Sequence, residues 1–486
     1  MILKSLAGLG FKSYPHKLRI SRQSYKQIMP CPPDLPKSSK SANWCCQSLA
    51  KMSSVRQCLV WSFLVALSSA LPTFPLAKYE RVTSYSLTPL PPSQDRFYTT
   101  PANYESATPG TILRLRVAPG NLTTVIANSS SAYNILYRTT DSQYKPSWAV
   151  TTLFVPSSPC SSTDAFNNTR VGSALLSYQI PYNSFDVDAS PSYSLYSGPP
   201  GDIAMALGRG WYVNVPDFEG PLASFSAGVE EGHATLDSVR AVLSSGFGLA
   251  PDARYAMWGY SGGSIATEWA AELQVQYAPE LSFSGAALGG LVPNITSALR
   301  SINGTIWAGL TPAALLGVTS QYPAAYEFLV SKLKPFGPYN RTTFLSAKHM
   351  SYAEDFVTFT NQNIFDYFEG GIAIFESPII QKIIQSNGFM GYHGVPQMPL
   401  FVYKAIQDEL TRVNDTDALV AKYCAVGANI LYQRNTVGGH LAEYTNGVPR
   451  AFKWLSSVLD GTYSTTYSPQ GCTIQNVAVN ITSTLL

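Results

Sequence analysis

The feature that most constrains this chain is the run Gly259-Tyr260-Ser261-Gly262-Gly263, set between an apolar, strand-like stretch at 255–258 and a helix-like stretch from 264 onward. G-x-S-x-G between a strand and a helix is the nucleophile elbow. The turn is tight enough to force the serine backbone into a strained conformation, which only small neighbours tolerate. It lifts the hydroxyl above the strand ends and sets a helix N-terminus beneath any oxyanion that develops there. The flanking sequence agrees with such a framework. Strand-like runs fall at 113–117, 134–138, 147–155, 173–178, 211–215, 255–260 and 283–288, and helical spacing at 203–207, 230–243 and 264–277. Strands alternating with helices predict an α/β fold, a mostly parallel sheet with helices on both faces.

Past 288 the pattern changes. Residues 295–395 are richer in helical periodicity, as at 323–333 and 374–384, and the α/β alternation resumes only at 399–406. An interruption of that length is too long for a loop and predicts an inserted, mainly helical cap. The core is then expected from 71–294 and 396–486, with the Pro-, Ser- and Thr-rich stretch 78–118 laid over the surface as an N-terminal arm. A chain of 486 residues exceeds one compact core, and 45% hydrophobic against 13% charged residues excludes a disordered one.

The net charge of +3 misleads about partners. Residues 1–51 hold nine Lys or Arg and one acid, so with Arg56 removed as well the chain from Leu71 onward is near −6. That balance excludes a nucleic-acid partner. Met52 opens a second start: a charged Arg56, an apolar run from Cys58 to Leu67, then Ser68-Ser69-Ala70. This is the pattern of a secretory signal peptide over 52–70, its apolar run too short for a stable membrane span. Residues 1–51 are then an upstream extension with no folding signal. Four of the seven cysteines, Cys31, Cys45, Cys46 and Cys58, lie in the leader; Cys160, Cys424 and Cys472 remain, a pair plus one. Sequons at Asn121, Asn128, Asn167, Asn294, Asn303, Asn340, Asn414 and Asn480 fit a glycosylated, extracellular protein.

A serine nucleophile needs a base, and the histidines are only His16, His233, His349, His393 and His440. The order Ser, acid, His of this elbow architecture removes the two that precede the serine. Among the rest, His440 follows Gly438-Gly439 after the strand-like run 430–433, on what reads as a late loop. The acid should leave the preceding strand, 399–406, which ends in Gln407-Asp408-Glu409. Asp408 stands where a strand delivers a carboxylate, Glu409 is its near rival, and Asp415 and Asp417 lie in a segment that reads as solvated. One oxyanion donor is the N–H of Gly262, and the second is expected from the loop 179–183 after the 173–178 strand. No metal-ligand cluster or phosphate loop is present, and the chemistry requires no cofactor.

Taken together, Ser177-Tyr-Gln179, Pro191-Ser-Tyr193, Asp217-Phe-Glu-Gly220, Gly228-Val-Glu-Glu-Gly232, Gly259 to Gly263, Ala278-Pro-Glu-Leu281, Lys404 to Glu409, Tyr423-Cys424 and Gly439-His440 resemble the fungal secretory lipases, the lipase A-like branch of the α/β-hydrolases. The resemblance runs from about Arg114 to Cys472. It implies a triad of Ser261, Asp408 and His440, an oxyanion hole at Gly262 and Asn183, a helical cap with an acyl-binding tunnel, and a disulfide between Cys424 and Cys472. Two departures stand out. Asn183 replaces an acidic residue usual in the oxyanion loop, and Ala189 occupies a position from which relatives bridge to a cap that here holds no cysteine. The expected activity is that of a secreted, monomeric serine hydrolase of carboxylic esters. Its substrate is read as a triacylglycerol at a lipid–water interface, alternatively an acylated small fungal secondary metabolite. A non-catalytic lipid-binding protein on the same fold is the remaining class.

Overall fold

The computed structural model describes residues 80–81, 88–163 and 169–481. The upstream extension, the signal sequence at 52–70, the four cysteines Cys31, Cys45, Cys46 and Cys58, and the sequon at Asn167 lie outside the described residues.

Among the described residues the chain builds one eleven-stranded sheet and a small hairpin. The strands are β1 (Glu80–Arg81), β2 (Ile112–Val117), β3 (Ser129–Thr140), β4 (Pro146–Pro156), β5 (Ser161–Thr163), β6 (Thr169–Val171), β7 (Ala174–Gln179), β8 (Tyr212–Pro216), β9 (Arg254–Tyr260), β10 (Gly285–Gly289), β11 (Leu400–Ala405), β12 (Ile430–Asn435) and β13 (Cys472–Val477). Across the large sheet the order is β1-β2-β3-β4-β8-β7-β9-β10-β11-β12-β13. From β8 to β13 every neighbouring pair is parallel, while β2, β3, β4 and β8 meet antiparallel. The longer helices are α1 (Gly201–Gly208), α2 (Gly228–Leu243), α3 (Gly262–Tyr277), α4 (Ile295–Ile302), α5 (Leu310–Ser320), α6 (Pro323–Ser331), α7 (Tyr352–Phe359), α8 (Pro378–Asn387), α9 (Val413–Ala425) and α10 (His440–Leu459).

The central strands are apolar on both sides, so alternate residues feed two cores. On β9 and β11, Met257, Leu400 and Val402 join the core under α2 and α3, with Leu236, Val239, Ile265 and Trp269. Ala256, Trp258, Phe401 and Tyr403 point the other way, into a core closed by Ile203 and Leu207 of α1 and Trp454 and Val458 of α10. Helices therefore cover both faces, as expected. The stretch at 88–111 does more than lie on the surface: Phe97 is buried against Leu136 and Val150.

Between β10 and β11 the chain makes helices α4 to α8 and adds no strand to the large sheet among the described residues. The run 374–384, read from sequence as one helix, is two pieces, a 3-10 turn at Gly371–Glu376 and then α8. Pro378 is the cause, because Pro disfavours helical backbone in the residue before it, and Ser377 sits extended at φ −64°, ψ 138°. Helix α5 is buried along nearly its whole length. Its Gly317 lets it lie directly on the Phe225 backbone, where any Cβ would collide with the carbonyl oxygen and the amide nitrogen.

Candidate active site

Ser261 closes β9 and caps α3 at φ 52°, ψ −123°, a conformation costly for any residue with a side chain and held only when its surroundings over-determine it. The neighbouring glycines show what holds it. A Cβ on Gly259 would strike the Gly263 carbonyl, one on Gly263 the Gln179 carbonyl, and one on Gly262 the Asn183 side-chain amide. The Ser261 N–H donates to the Gly289 carbonyl at 2.9 Å, and Ser264 ties back to the Ser261 carbonyl through its N–H at 2.8 Å and its hydroxyl at 2.6 Å.

The Ser261 Oγ lies 2.8 Å from His440 Nε2, and His440 Nδ1 lies 2.8 Å from Asp408 Oδ2. An ionised carboxylate only accepts, so Nδ1 carries the ring proton and Nε2 is left to accept from the serine hydroxyl. His440 is the first residue of α10, a correction to the loop expected from sequence, and it is nearly inaccessible. Its N–H donates to Glu409 Oε2 at 2.8 Å, and its carbonyl accepts from the Tyr260 hydroxyl at 2.6 Å. Glu409 thus holds the histidine backbone while Asp408 holds the ring. Trp307, from the segment between β10 and β11, meets the same ring edge-on, 6.3 Å between centroids.

Asp408 is buried, which pushes its carboxyl up, but the His440 hydrogen bond and the Lys404 ammonium outweigh burial and hold it well below the ordinary range. The Lys404 Nζ is 2.9 Å from Asp408 Oδ2, and the N–H groups of Leu410 and Thr411 reach Oδ1 at 3.0 and 2.8 Å. Lys404 itself is fully buried, and burial pulls its pKa down against the opposing pull of Asp408. The competing residues are elsewhere. His349 ends a 3-10 turn, His393 sits against Trp269 and Glu272, and Asp417 pairs with Arg434 at 3.1 Å. Asp415 lies on α9.

Beside the serine is a small, partly open cavity of ≈ 30 Å³, lined by apolar side chains such as Ile295, Leu299 and Leu310 and by the polar residues Asn183 and Ser226. Asn183 has a left-handed backbone, φ 47°, and its side-chain oxygen is buried without a partner. Behind it the structure collects acids for which the sequence reading gave no role. Asp217, Glu219, Glu230 and Glu231 are buried and make no ion pair among the described residues. Burial pushes Asp217 up to about 7 and Glu231 up to about 8, and Glu219 and Glu230 well above the carboxylate range. The nearby N–H groups of Asn183 and Ser184 pull Glu219 back only in part.

A family model described as secretory lipase matches residues 202–466. The chain belongs to the secretory lipase family. Among its relatives, the trichothecene C-3 esterase of Fusarium sporotrichioides is 54% identical, the match covering 81% of this chain and 90% of that protein. Lipase A of Arthroderma benhamiae is 37% identical over 82% of this chain and 88% of its own. The closed-state crystal structure of Candida antarctica lipase A, 28% identical, superposes with a TM-score of 0.69 over 78% of this chain and 88% of that one. The chain therefore has the α/β-hydrolase fold and is a carboxylic-ester hydrolase.

In this member of the family, Cys424 and Cys472 are bonded, joining the end of α9 to β13 across a separation of 48 residues, and Cys160 is free and half-buried. Asn121, Asn128, Asn414 and Asn480 are exposed. Asn294 and Asn340 instead cap helices, accepting from the N–H groups of Ser297 and Thr343 at 3.0 Å, and Asn303 bonds Asn363 and Ile364 at 2.8 Å. No described helix is long and apolar enough to cross a membrane.

Proposed function

We propose that Ser261, His440 and Asp408 act as a catalytic triad on esters that combine a short acyl group with a bulky apolar alcohol. The observation that carries the mechanism is the unbroken chain from Ser261 Oγ through His440 to Asp408, with both hydrogen bonds at 2.8 Å. His440 Nε2 takes the serine proton as Oγ attacks the ester carbonyl, and Asp408 steadies the imidazolium. The N–H groups of Gly262 and of the loop at Asn183 hold the oxyanion. Collapse breaks the bond to the alcohol, which leaves with the proton from His440. Water, activated by the same ring, then hydrolyses the acyl-enzyme. Residues 295–395 serve as the cap over this site, with Trp307 against the histidine.

The short-acyl reading is supported by the small, mainly apolar cavity of ≈ 30 Å³ beside Ser261, and the 54% identity to a trichothecene C-3 esterase supports an alcohol of that class. A second reading, hydrolysis of long-chain glycerides, is favoured by the family and by the lipase A relatives, and it requires the walls of that cavity to move apart. The exposed sequons and the signal pattern at 52–70 support action outside the cell. The test is turnover of p-nitrophenyl esters from acetyl to palmitoyl by the wild type and by Ser261→Ala. Turnover confined to short acyl groups and absent in the variant is expected. Ser261-dependent turnover of palmitoyl ester would install the glyceride reading, and no Ser261-dependent turnover would end both.

A further inference from the structure

The loop after β7 carries Asn183, and the next residue ties that loop to the segment between β10 and β11. Ser184 is fully buried. Its hydroxyl donates to the Met350 carbonyl at 2.7 Å and accepts the Asp186 N–H at 3.0 Å, so it closes its own loop while gripping the other segment. Phe185 faces Tyr326 of α6 in that same segment, 6.4 Å between ring centroids. Asn183 in turn lies on the elbow, its side-chain amide where a Cβ on Gly262 would fall.

Met350 leads into α7, and α7 reaches the other half of the site as well. Its Phe356 packs edge-on against Trp307 at 5.4 Å, and Trp307 meets the His440 ring. Gly309, two residues past Trp307, sits so close on the Asp355 backbone that a Cβ would collide with the carbonyl. One short helix thus bears on the base through Trp307 and on the oxyanion loop through Ser184. Its outer face is open, with Val357 79% exposed. A hydrogen bond to a carbonyl is short-ranged and directional, so withdrawing Met350 by about 1 Å would end the tie to Ser184.

We propose that Ser184 is a positioning residue for the oxyanion side of the site, and that through it the enzyme turns over only with α7 seated. The inference rests on the reading of Ser261 as nucleophile and of the Asn183 loop as an oxyanion donor. It adds a constraint on the reaction: the ester that reacts is one held beneath a closed α7. Lifting α7 removes the outer support of the base and of the oxyanion loop together, and so lowers turnover instead of raising it.

The test compares Ser184→Ala with the full-length wild type on p-nitrophenyl acetate, with folded sites counted by labelling Ser261 to completion with a fluorophosphonate. Per labelled site, kcat is expected to fall about tenfold with KM within about threefold, short of the roughly 10²- to 10³-fold loss for removing an oxyanion donor outright. Affinity for an alkylboronic acid, whose tetrahedral adduct on Ser261 places an oxygen in the hole, should fall by the same factor as kcat/KM. A mere packing role would reduce the number of sites and leave the turnover of each intact. Unchanged kcat per labelled site, or a loss confined to KM, would therefore overturn the role of Ser184. A second measurement needs only the wild type and decides the matter if the variant does not fold: turnover of the same water-soluble ester across the critical micelle concentration of a non-ionic detergent. Turnover should stay level or fall. A rise of more than about threefold would make the opened enzyme the faster one and overturn the proposal. No labelling of the wild type would remove the parent reading, and this one with it.

Discussion

Asp408 and Glu409 are adjacent in sequence and do different work in space. The first carboxylate receives the imidazole N–H and the Lys404 ammonium; the second receives only the backbone N–H of His440. Asp408→Asn should therefore lower kcat by roughly 10³- to 10⁴-fold, the loss expected when the imidazole is held in the wrong tautomer. Glu409→Gln keeps an oxygen for the backbone N–H and should stay within about tenfold of wild type. Steady-state kinetics on one activated ester decides it, and equal losses in both variants would contradict the division of labour. Pattern alone left this pair open, because both residues leave the same strand end and only register decides which carboxylate turns inward. Ser261 was legible because its chemistry demands small neighbours at fixed spacing, and the collisions awaiting a Cβ at Gly259, Gly262 and Gly263 are the physical content of that motif. Lys404 was passed over as part of a motif, although a lone cation inside the apolar run 399–406 is itself a signal: such a residue is buried with a counter-charge or it is not in a strand.

At the scale of elements, the sheet interior was readable and its edge was not. Strands β7, β10 and β11 are buried along their whole length and β9 from Ala256 onward, mostly by apolar residues, because both faces are covered, whereas β13 has mixed composition and lies largely exposed at the rim. Its pairing with β12 follows register, not hydrophobic pattern. Helix α10 was misjudged at its start for a related reason: Gly438-Gly439 reads as a loop, and the histidine that follows already belongs to the helix. The disulfide from Cys424 to Cys472 anchors the rim strand to α9. Closing a loop of 48 residues restricts the unfolded chain by about 4 kcal/mol on a chain-entropy scale. The double variant Cys424→Ser, Cys472→Ser should lose about 2–4 kcal/mol of stability in denaturant titration. It should keep its turnover number at a temperature where it remains folded, since neither cysteine touches the triad. A loss of turnover without a loss of stability would mean that the rim strand helps to set the position of His440.

Over the whole molecule, the unusual charge property is the number of acids folded away without counter-ions. Burial raises Asp217 to about 7, Glu231 to about 8 and, in the segment between β10 and β11, Asp355 to about 8. Glu268 behaves likewise, raised by burial and then by Glu272, since the single Tyr423 phenol proton cannot serve two carboxylates at once. In the unfolded chain such groups titrate near 4. Between about pH 4 and pH 8 the folded protein therefore holds protons that the unfolded chain has released, and the stability they contribute is full in acid and lost as pH rises through the folded values. His233 works the other way. Burial lowers it to about 3, so its contribution is present above about pH 6.5 and lost as pH falls. Asp408, held low, loses its contribution only below about pH 4, outside this window. Several raised carboxyls against one depressed imidazole fix the net sign, and the melting temperature should be higher at pH 5.5 than at pH 8. Glu231→Gln, which never ionises, should flatten that slope without reversing it. Scanning calorimetry at constant ionic strength reads both, and a melting temperature that climbed from pH 5.5 to pH 8 would mean that these carboxyls are ionised in the fold and must have partners that the buried cluster does not supply.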